Sequence, residues 1–253
     1  MKPCSDHVWV LGGPIEQWGG TMEKDCVLKG TRYFHSKNIV YLYGPNNREM
    51  MTIMSPLDKI VCPLTSINRN LEVKKMPDFE EAEIVSKLSL EYPNICGGII
   101  DDFDVNLKEF SPARLEKIHH NLKKHNSRLK LYVVVYTWQE HKKENYAAYL
   151  PFIDVVTLWV WRKSELQTID RDMESCRRDF PGKPILMGLF IHDYGETDKE
   201  ATPVNLLKFQ LDHIKSYLER DILQGFIILG DREIAKHPQE SEFVRSYVAN
   251  NFI

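Results

Sequence analysis

The chain is short of several features that would announce a function class. Its five cysteines (Cys4, Cys26, Cys62, Cys96 and Cys176) are odd in number and widely scattered. They form neither a disulfide framework nor a Cys-x-x-Cys redox or zinc motif. Cys62 and Cys96 sit in apolar runs, where free cysteine behaves as a small core residue, and the usage fits a reducing, cytosol-like setting. No His-x-His occurs, and His119, His120 and His125 lie among polar neighbours on a predicted helix, as solvated histidines do. No apolar run reaches the roughly 18 residues that cross a bilayer. Charge of one sign is not in excess either: the net charge is −3 over 253 residues, with the lysines and arginines dispersed. Neither a nucleic-acid nor a membrane partner is expected from that balance. The start, Met1-Lys2-Pro3-Cys4, lacks the apolar stretch of a secretory signal. The expectation is a cytoplasmic protein or a processed secreted form.

What is present is a rhythm. A short apolar run, a turn with charged or aromatic residues and an amphipathic stretch recur about eight times. The strands are expected at His7 to Leu11, Asn38 to Tyr43, Lys59 to Leu64, Ile95 to Ile100, Leu131 to Tyr136, Val155 to Val160, Pro184 to Ile191 and Gly225 to Leu229. Between them the punctuation is strong. Gly44-Pro45-Asn46-Asn47 stops the second strand, and Ser111-Pro112 and Thr202-Pro203 open helices. Asp78 with Glu81 reads as a capping box. One helix is expected over Glu165 to Phe180, and a last one from about Ser241 to Phe252, packing against the first. Strands alternating with helices imply parallel βαβ units. The whole chain, residues 1–253, is therefore expected to be one α/β domain, a single (β/α)8 TIM barrel. A doubly wound open sheet would carry a Gly-rich phosphate turn after its first strand. Gly12-Gly13-Pro14 fails that test, because proline removes an amide that would face the phosphate.

Barrels of this kind place their chemistry at the C-terminal ends of the strands. Strand four ends in Asp101, Asp102 and Asp104. Clustered carboxylates cannot comfortably ionise together, so one pKa rises and a proton donor stands beside a charged neighbour. Aromatic residues gather at the other ends: Tyr43, Tyr136, Tyr194, Trp18, Trp138, Trp159 and Trp161. Their rings can stack on the apolar faces of sugars while O–H and N–H groups bond hydroxyls. Strand seven adds His192 and Asp193, and strand eight Asp231, Arg232 and Glu233. The expected catalytic residues are Asp101, Asp102 and Asp104. The expected substrate-binding residues are Tyr43, Tyr136, Trp138, Trp159, Trp161, His192, Asp193 and Tyr194. Glu16, Asp193 and Glu233 are further available carboxylates.

The run Gly98-Ile99-Ile100-Asp101-Asp102-Phe103-Asp104 resembles the active-site strand of O-GlcNAcase-type barrel glycosidases. There strand four ends in an apolar run, Asp-Asp, an apolar residue and Asp, and the acetamido group of the substrate is the nucleophile. The resemblance implies that Asp101 orients that group and Asp102 is the acid/base. Chitinase-like barrels have a related strand with acidic residues at alternate positions ending in Glu. Asp102 and Asp104 alternate here, but the next alternate position is Asn106. The leading expectation is a glycoside hydrolase acting on a carbohydrate without cofactor or metal. One alternative is a metal-dependent hydrolase or deacetylase using Asp101, Asp102, His192 and Asp193. Another is a barrel that binds carbohydrate without turning it over.

Overall fold

A computed structural model describes residues 4–64, 78–137 and 146–253. Eight parallel strands close into a barrel in chain order. They are β1 (Val8–Gly12), β2 (Asn38–Tyr41), β3 (Lys59–Pro63), β4 (Ile95–Ile100), β5 (Lys130–Tyr136), β6 (Val155–Trp159), β7 (Ile185–Phe190) and β8 (Gly225–Leu229). The helices are α1 (Cys26–Tyr33), α2 (Arg48–Ile53), α3 (Asp78–Glu91), α4 (Pro112–Lys123), α5 (Ile169–Asp179), α6 (Val204–Glu219), α7 (Glu233–Lys236) and α8 (Pro238–Phe252). The fold is the expected (β/α)8 barrel. Between β5 and β6 the described residues carry only 3-10 turns, at Tyr146–Ala148 and Leu150–Phe152.

The sheet is apolar on both faces because each face has its own core. Outward side chains such as Val10, Ile39, Ile60, Ile100 and Val133 pack under the helices. Inward ones, among them Trp9, Val40, Val61, Ile99, Val134 and Ile227, fill the barrel. Alternation along each strand sends successive residues to opposite cores. No disulfide links the cysteines, and Cys62 is buried while Cys96 is half-buried.

Side-chain caps open two of the helices. Asn47 accepts from Met50 N–H at 2.9 Å to begin α2. Ser111 accepts from Arg114 N–H at 3.2 Å, with Pro112 in the first turn of α4. The expected box at Asp78 and Glu81 does not form. Asp78 pairs with Arg114, and Glu81 accepts from Asn46 Nδ2 at 2.6 Å, so the two carboxylates tie α3 to its neighbours. The helix expected over Glu165 to Phe180 is split, with Lys163–Thr168 wound as 3-10 before α5. Within the tighter turn, Glu165 accepts from Thr137 Oγ1 at 3.0 Å. The last helix starts earlier than expected, with Pro238 in its first turn, and meets α1 through Tyr33 and Glu242 at 3.3 Å.

One close approach shapes the barrel interior. Trp159 on β6 lies opposite Gly188 on β7 in the strand register. A Cβ at Gly188 would fall 2.0 Å from carbons of the indole. Glycine is therefore required for the ring to lie inside. Gly188→Ala is expected to lower the unfolding free energy by about 2 kcal/mol, an overpacking cost. Adding Trp159→Leu should restore most of it, as read by urea denaturation of the single and double variants.

Candidate active site

Inward alternation continues past the end of β4. Ile99 belongs to the barrel interior, so Asp101 follows it into the C-terminal mouth. Extended geometry would turn Asp102 to the opposite side. Instead Asp102 has a φ of 49°, the left-handed region. That conformation costs an ordinary residue roughly 1–2 kcal/mol and is most readily borne by Gly, Asn and Asp. Two bonds hold it: the Asp102 carbonyl accepts from Asn106 N–H at 3.1 Å and from Asn106 Nδ2 at 3.0 Å. The result is that consecutive carboxylates share one mouth. Asp102 N–H donates to Asp101 Oδ1 at 3.1 Å, and Tyr136 O–H donates to Asp102 Oδ1 at 2.6 Å.

Asp104 lies apart from this pair. It is 1% exposed and accepts from the backbone N–H of Tyr136 at 2.8 Å. It thereby fixes the residue whose hydroxyl holds Asp102.

Burial, and then the charge of Asp102, push the Asp101 carboxyl up; the Asp102 N–H and the Arg232 guanidinium pull it back only in part. Burial and the neighbouring charge both favour the neutral form of Asp101. Burial, then the nearby carboxylates, also push the Tyr136 hydroxyl well above its usual range, so it remains a donor.

The end of β8 supplies the other half of the mouth. Asp231 accepts from Gly13 N–H at 2.9 Å and fastens β8 to β1. Arg232 is buried, with its guanidinium carbon 5.1 Å from the Tyr43 ring centroid and 5.7 Å from that of Tyr194. Its Nε donates to Glu233 Oε1 at 3.2 Å, and Tyr194 O–H donates to the same carboxylate. Burial raises Glu233 to about 7, outweighing the opposing pull of Arg232 and Tyr194. Tyr43 itself sits at a φ of 67°, a second left-handed residue at this mouth. Sequence reasoning noted Arg232 without choosing it. The signal was available: an arginine directly after an apolar strand, flanked by two carboxylates, must find anionic or aromatic partners when buried.

The aromatic residues divide. Trp161 is half-buried and faces Tyr136 edge-on, with centroids 5.3 Å apart. It also lies near-parallel to Tyr194 at 6.3 Å. Phe190, which the sequence reading passed over, joins them at 5.8 Å from Trp161. Trp159 is 2% exposed within the barrel, its indole N–H donating to Thr157 Oγ1 at 3.1 Å. Trp138, the side chain of Trp18 and the loop Ser66 to Asn70 lie outside the described residues.

His192 and Asp193 are engaged with their own loop. His192 is fully buried, 2.8 Å from His237 Nε2 and 3.1 Å from Asp198 Oδ1. Asp193 takes Lys163 Nζ at 2.9 Å and the N–H groups of Glu196 and Thr197. Among the described residues, no group of three or more His, Cys, Asp or Glu side chains is arranged to hold a metal ion. No helix of the described residues is long and apolar enough to cross a membrane. The structure therefore brings together Asp101, Asp102, Tyr136, Tyr43, Arg232, Glu233, Tyr194 and Trp161. Asp104, Trp159, His192 and Asp193 lie behind them.

No protein-family model and no curated protein sequence matches the chain. Solved structures do. A β-D-glucuronidase of Dictyoglomus thermophilum aligns with a TM-score of 0.58 at 12% identity over 91% of this chain and 47% of its own. A GH2 β-galacturonidase of Eisenbergiella tayi bound to galacturonate gives 0.63 at 12% identity, over 97% and 51%. A β-glucuronidase of Bacteroides uniformis gives 0.59 at 10% identity, over 90% and 30%. The chain spans about half the length of the longest-covered of these, and less of the others. At such identities the likeness is one of fold: the barrel is of the kind that forms the barrel part of these glycosidases.

The raised Glu233 carboxyl has a thermodynamic signature. Its folded-state value of about 7 lies above the ordinary 4.5. The folded protein thus holds a proton that the unfolded chain has lost, and its contribution is lost as pH rises through that interval. Glu233→Gln is expected to remove this part of the slope, so its unfolding free energy relative to the parent should climb between those two pH values. Urea denaturation at stepped pH measures the difference, and parallel curves would contradict the assignment.

Proposed function

We infer that the protein is a glycoside hydrolase whose acid–base pair is Asp101 and Asp102. The observation that carries this reading is the left-handed turn at Asp102, which aims adjacent carboxylates of unlike environment into one aromatic-walled mouth. Glycosidic cleavage needs a proton for the leaving oxygen and negative charge where the sugar ring becomes cationic. Asp101, inward-facing and with its carboxyl pushed up, donates the proton. Asp102, held by the Tyr136 hydroxyl, faces the developing positive charge at the anomeric carbon or on an acetamido nitrogen. These roles are the reverse of those implied by the O-GlcNAcase resemblance. The raised carboxyl of Asp101 supports the exchange.

Among the described residues, no carboxylate across the barrel is assigned as the nucleophile. The inward positions at the ends of β6 and β7 are Trp159 and Phe190. Glu233 at β8 is committed to Arg232 and Tyr194. That arrangement favours a substrate-assisted reaction, in which the sugar's own acetamido group attacks, with Asp102 steering it. Trp161 and Tyr194 supply a stacking wall, and Tyr43 and Arg232 bond hydroxyls. Asp104 positions Tyr136, while His192 and Asp193 brace the loop that carries Tyr194. The Eisenbergiella neighbour holds galacturonate, which supports a sugar as the ligand of this mouth.

Release of nitrophenol from a panel of aryl glycosides, N-acetylglucosaminide, glucuronide and galacturonide among them, tests the reading. The parent should be active with or without EDTA. Asp101→Asn and Asp102→Asn should each lose about 10²–10⁴ in kcat/KM, the usual worth of a positioned acid or base. Tyr136→Phe should lose less, about tenfold, as removal of one hydrogen bond to a charged group does. Absence of release from every sugar, or release abolished by EDTA alone, would sink the proposal.

A further inference from the structure

A second concavity lies at the opposite end of the barrel. It has a volume of about 370 Å³ and opens among the N-terminal ends of the strands. That falls within the roughly 300–1,000 Å³ typical of small-ligand sites. In (β/α)8 barrels this end ordinarily serves stability rather than chemistry, so what lines the cavity matters.

The lining has two parts. Its walls are apolar and aromatic, with the rings of Trp9 and Tyr132 beside Ile95 and Leu186. Its rim is cationic: Lys59, Arg128 and Lys130 converge there, against the single carboxylate of Asp6. None of these three cations has an ion-pair partner among the described residues, although other lysines and arginines of the chain are paired with carboxylates. The Lys59 ammonium lies 5.8 Å from the Trp9 ring centroid. Burial pushes the Cys96 thiol, which lines the same cavity, up to about 11, and Lys59 and Lys130 pull it back in part. Positive potential is therefore focused over an apolar-walled hollow, the arrangement that concentrates an anion.

We propose that the N-terminal mouth of the barrel is a binding site for a small organic anion with a flat apolar body. The body lies against Trp9 and Tyr132, and its carboxylate or phosphate meets Lys59, Lys130 and Arg128. Cations on an aromatic wall recognise such a molecule twice, by charge and by stacking. A neutral molecule of the same shape keeps only the second. The site is separate from the Asp101–Asp102 mouth and does not depend on the chemistry assigned there.

Calorimetric titration of the full chain with 2-naphthoate, and with neutral 2-naphthamide as its match, tests the site. Saturable one-to-one binding is expected for naphthoate, weakened by added salt, with the amide about tenfold weaker. Lys59→Ala with Lys130→Ala should cost about as much, whereas Asp102→Asn should leave binding unchanged. A measurement on the unaltered protein runs beside it: saturating naphthoate should raise the thermal unfolding midpoint, and naphthamide at the same concentration should raise it less. No saturable binding, equal affinity for acid and amide, full affinity in the double lysine variant, or an unmoved midpoint would each overturn the proposal.

Discussion

Period-two alternation governs this barrel, and at the end of β4 it is broken. A strand allows only every second side chain into the mouth. By turning left-handed at Asp102, the chain sets two neighbouring carboxylates on the same side of the sheet. Everything around that turn holds it. Asn106 bonds its carbonyl, Tyr136 its carboxylate, and the buried Asp104 bonds the backbone of Tyr136. The contacts run in a chain from the helix-side core to the mouth. The strain of one backbone torsion is thus sustained by several part-buried hydrogen bonds at once.

The remaining strand ends complement that pair by charge and by shape. Arg232, buried beside Glu233 and between two tyrosine rings, brings positive charge toward Asp101. Trp159 fills the interior beneath, made possible by the missing side chain at Gly188. The aromatic wall above it is built from residues of β5, β6 and β7, so no single strand carries the mouth.

The architecture was legible because it rests on hydrophobic periodicity, which the sequence carries openly. Strands β4 and β8 begin and end where their apolar runs do. The fate of individual polar residues was less legible. Asp101 and Asp102 could be placed at a strand end, but not their sharing of a side, since that depends on a torsion. Asp104 looked the same as its neighbours in sequence and differs from them only in being enclosed by the end of β5. Asp78 and Glu81 matched a local capping pattern but are engaged by Arg114 and Asn46, partners far away in the chain. Glu233 and Arg232 acquire their character from Tyr43 and Tyr194, which no spacing rule connects.

Asp231 and Gly13 join the last strand to the first across 218 positions of chain, beside the ladder in which Val8 to Leu11 pair with Phe226 to Leu229. The closure is a seam between early- and late-made segments. As the chain emerges during synthesis, β1 has β2 for a neighbour but a bare edge on its other side until β8 arrives. Non-local pairing of this kind is slow, since a long loop must close before any contact rewards it. The mouth is split by the same seam: Tyr43 and the β4 carboxylates are made before Arg232 and Glu233. A nascent chain therefore holds its acidic pair before the arginine that moderates it, and the site comes into being in the same step that removes the sheet's last open edge.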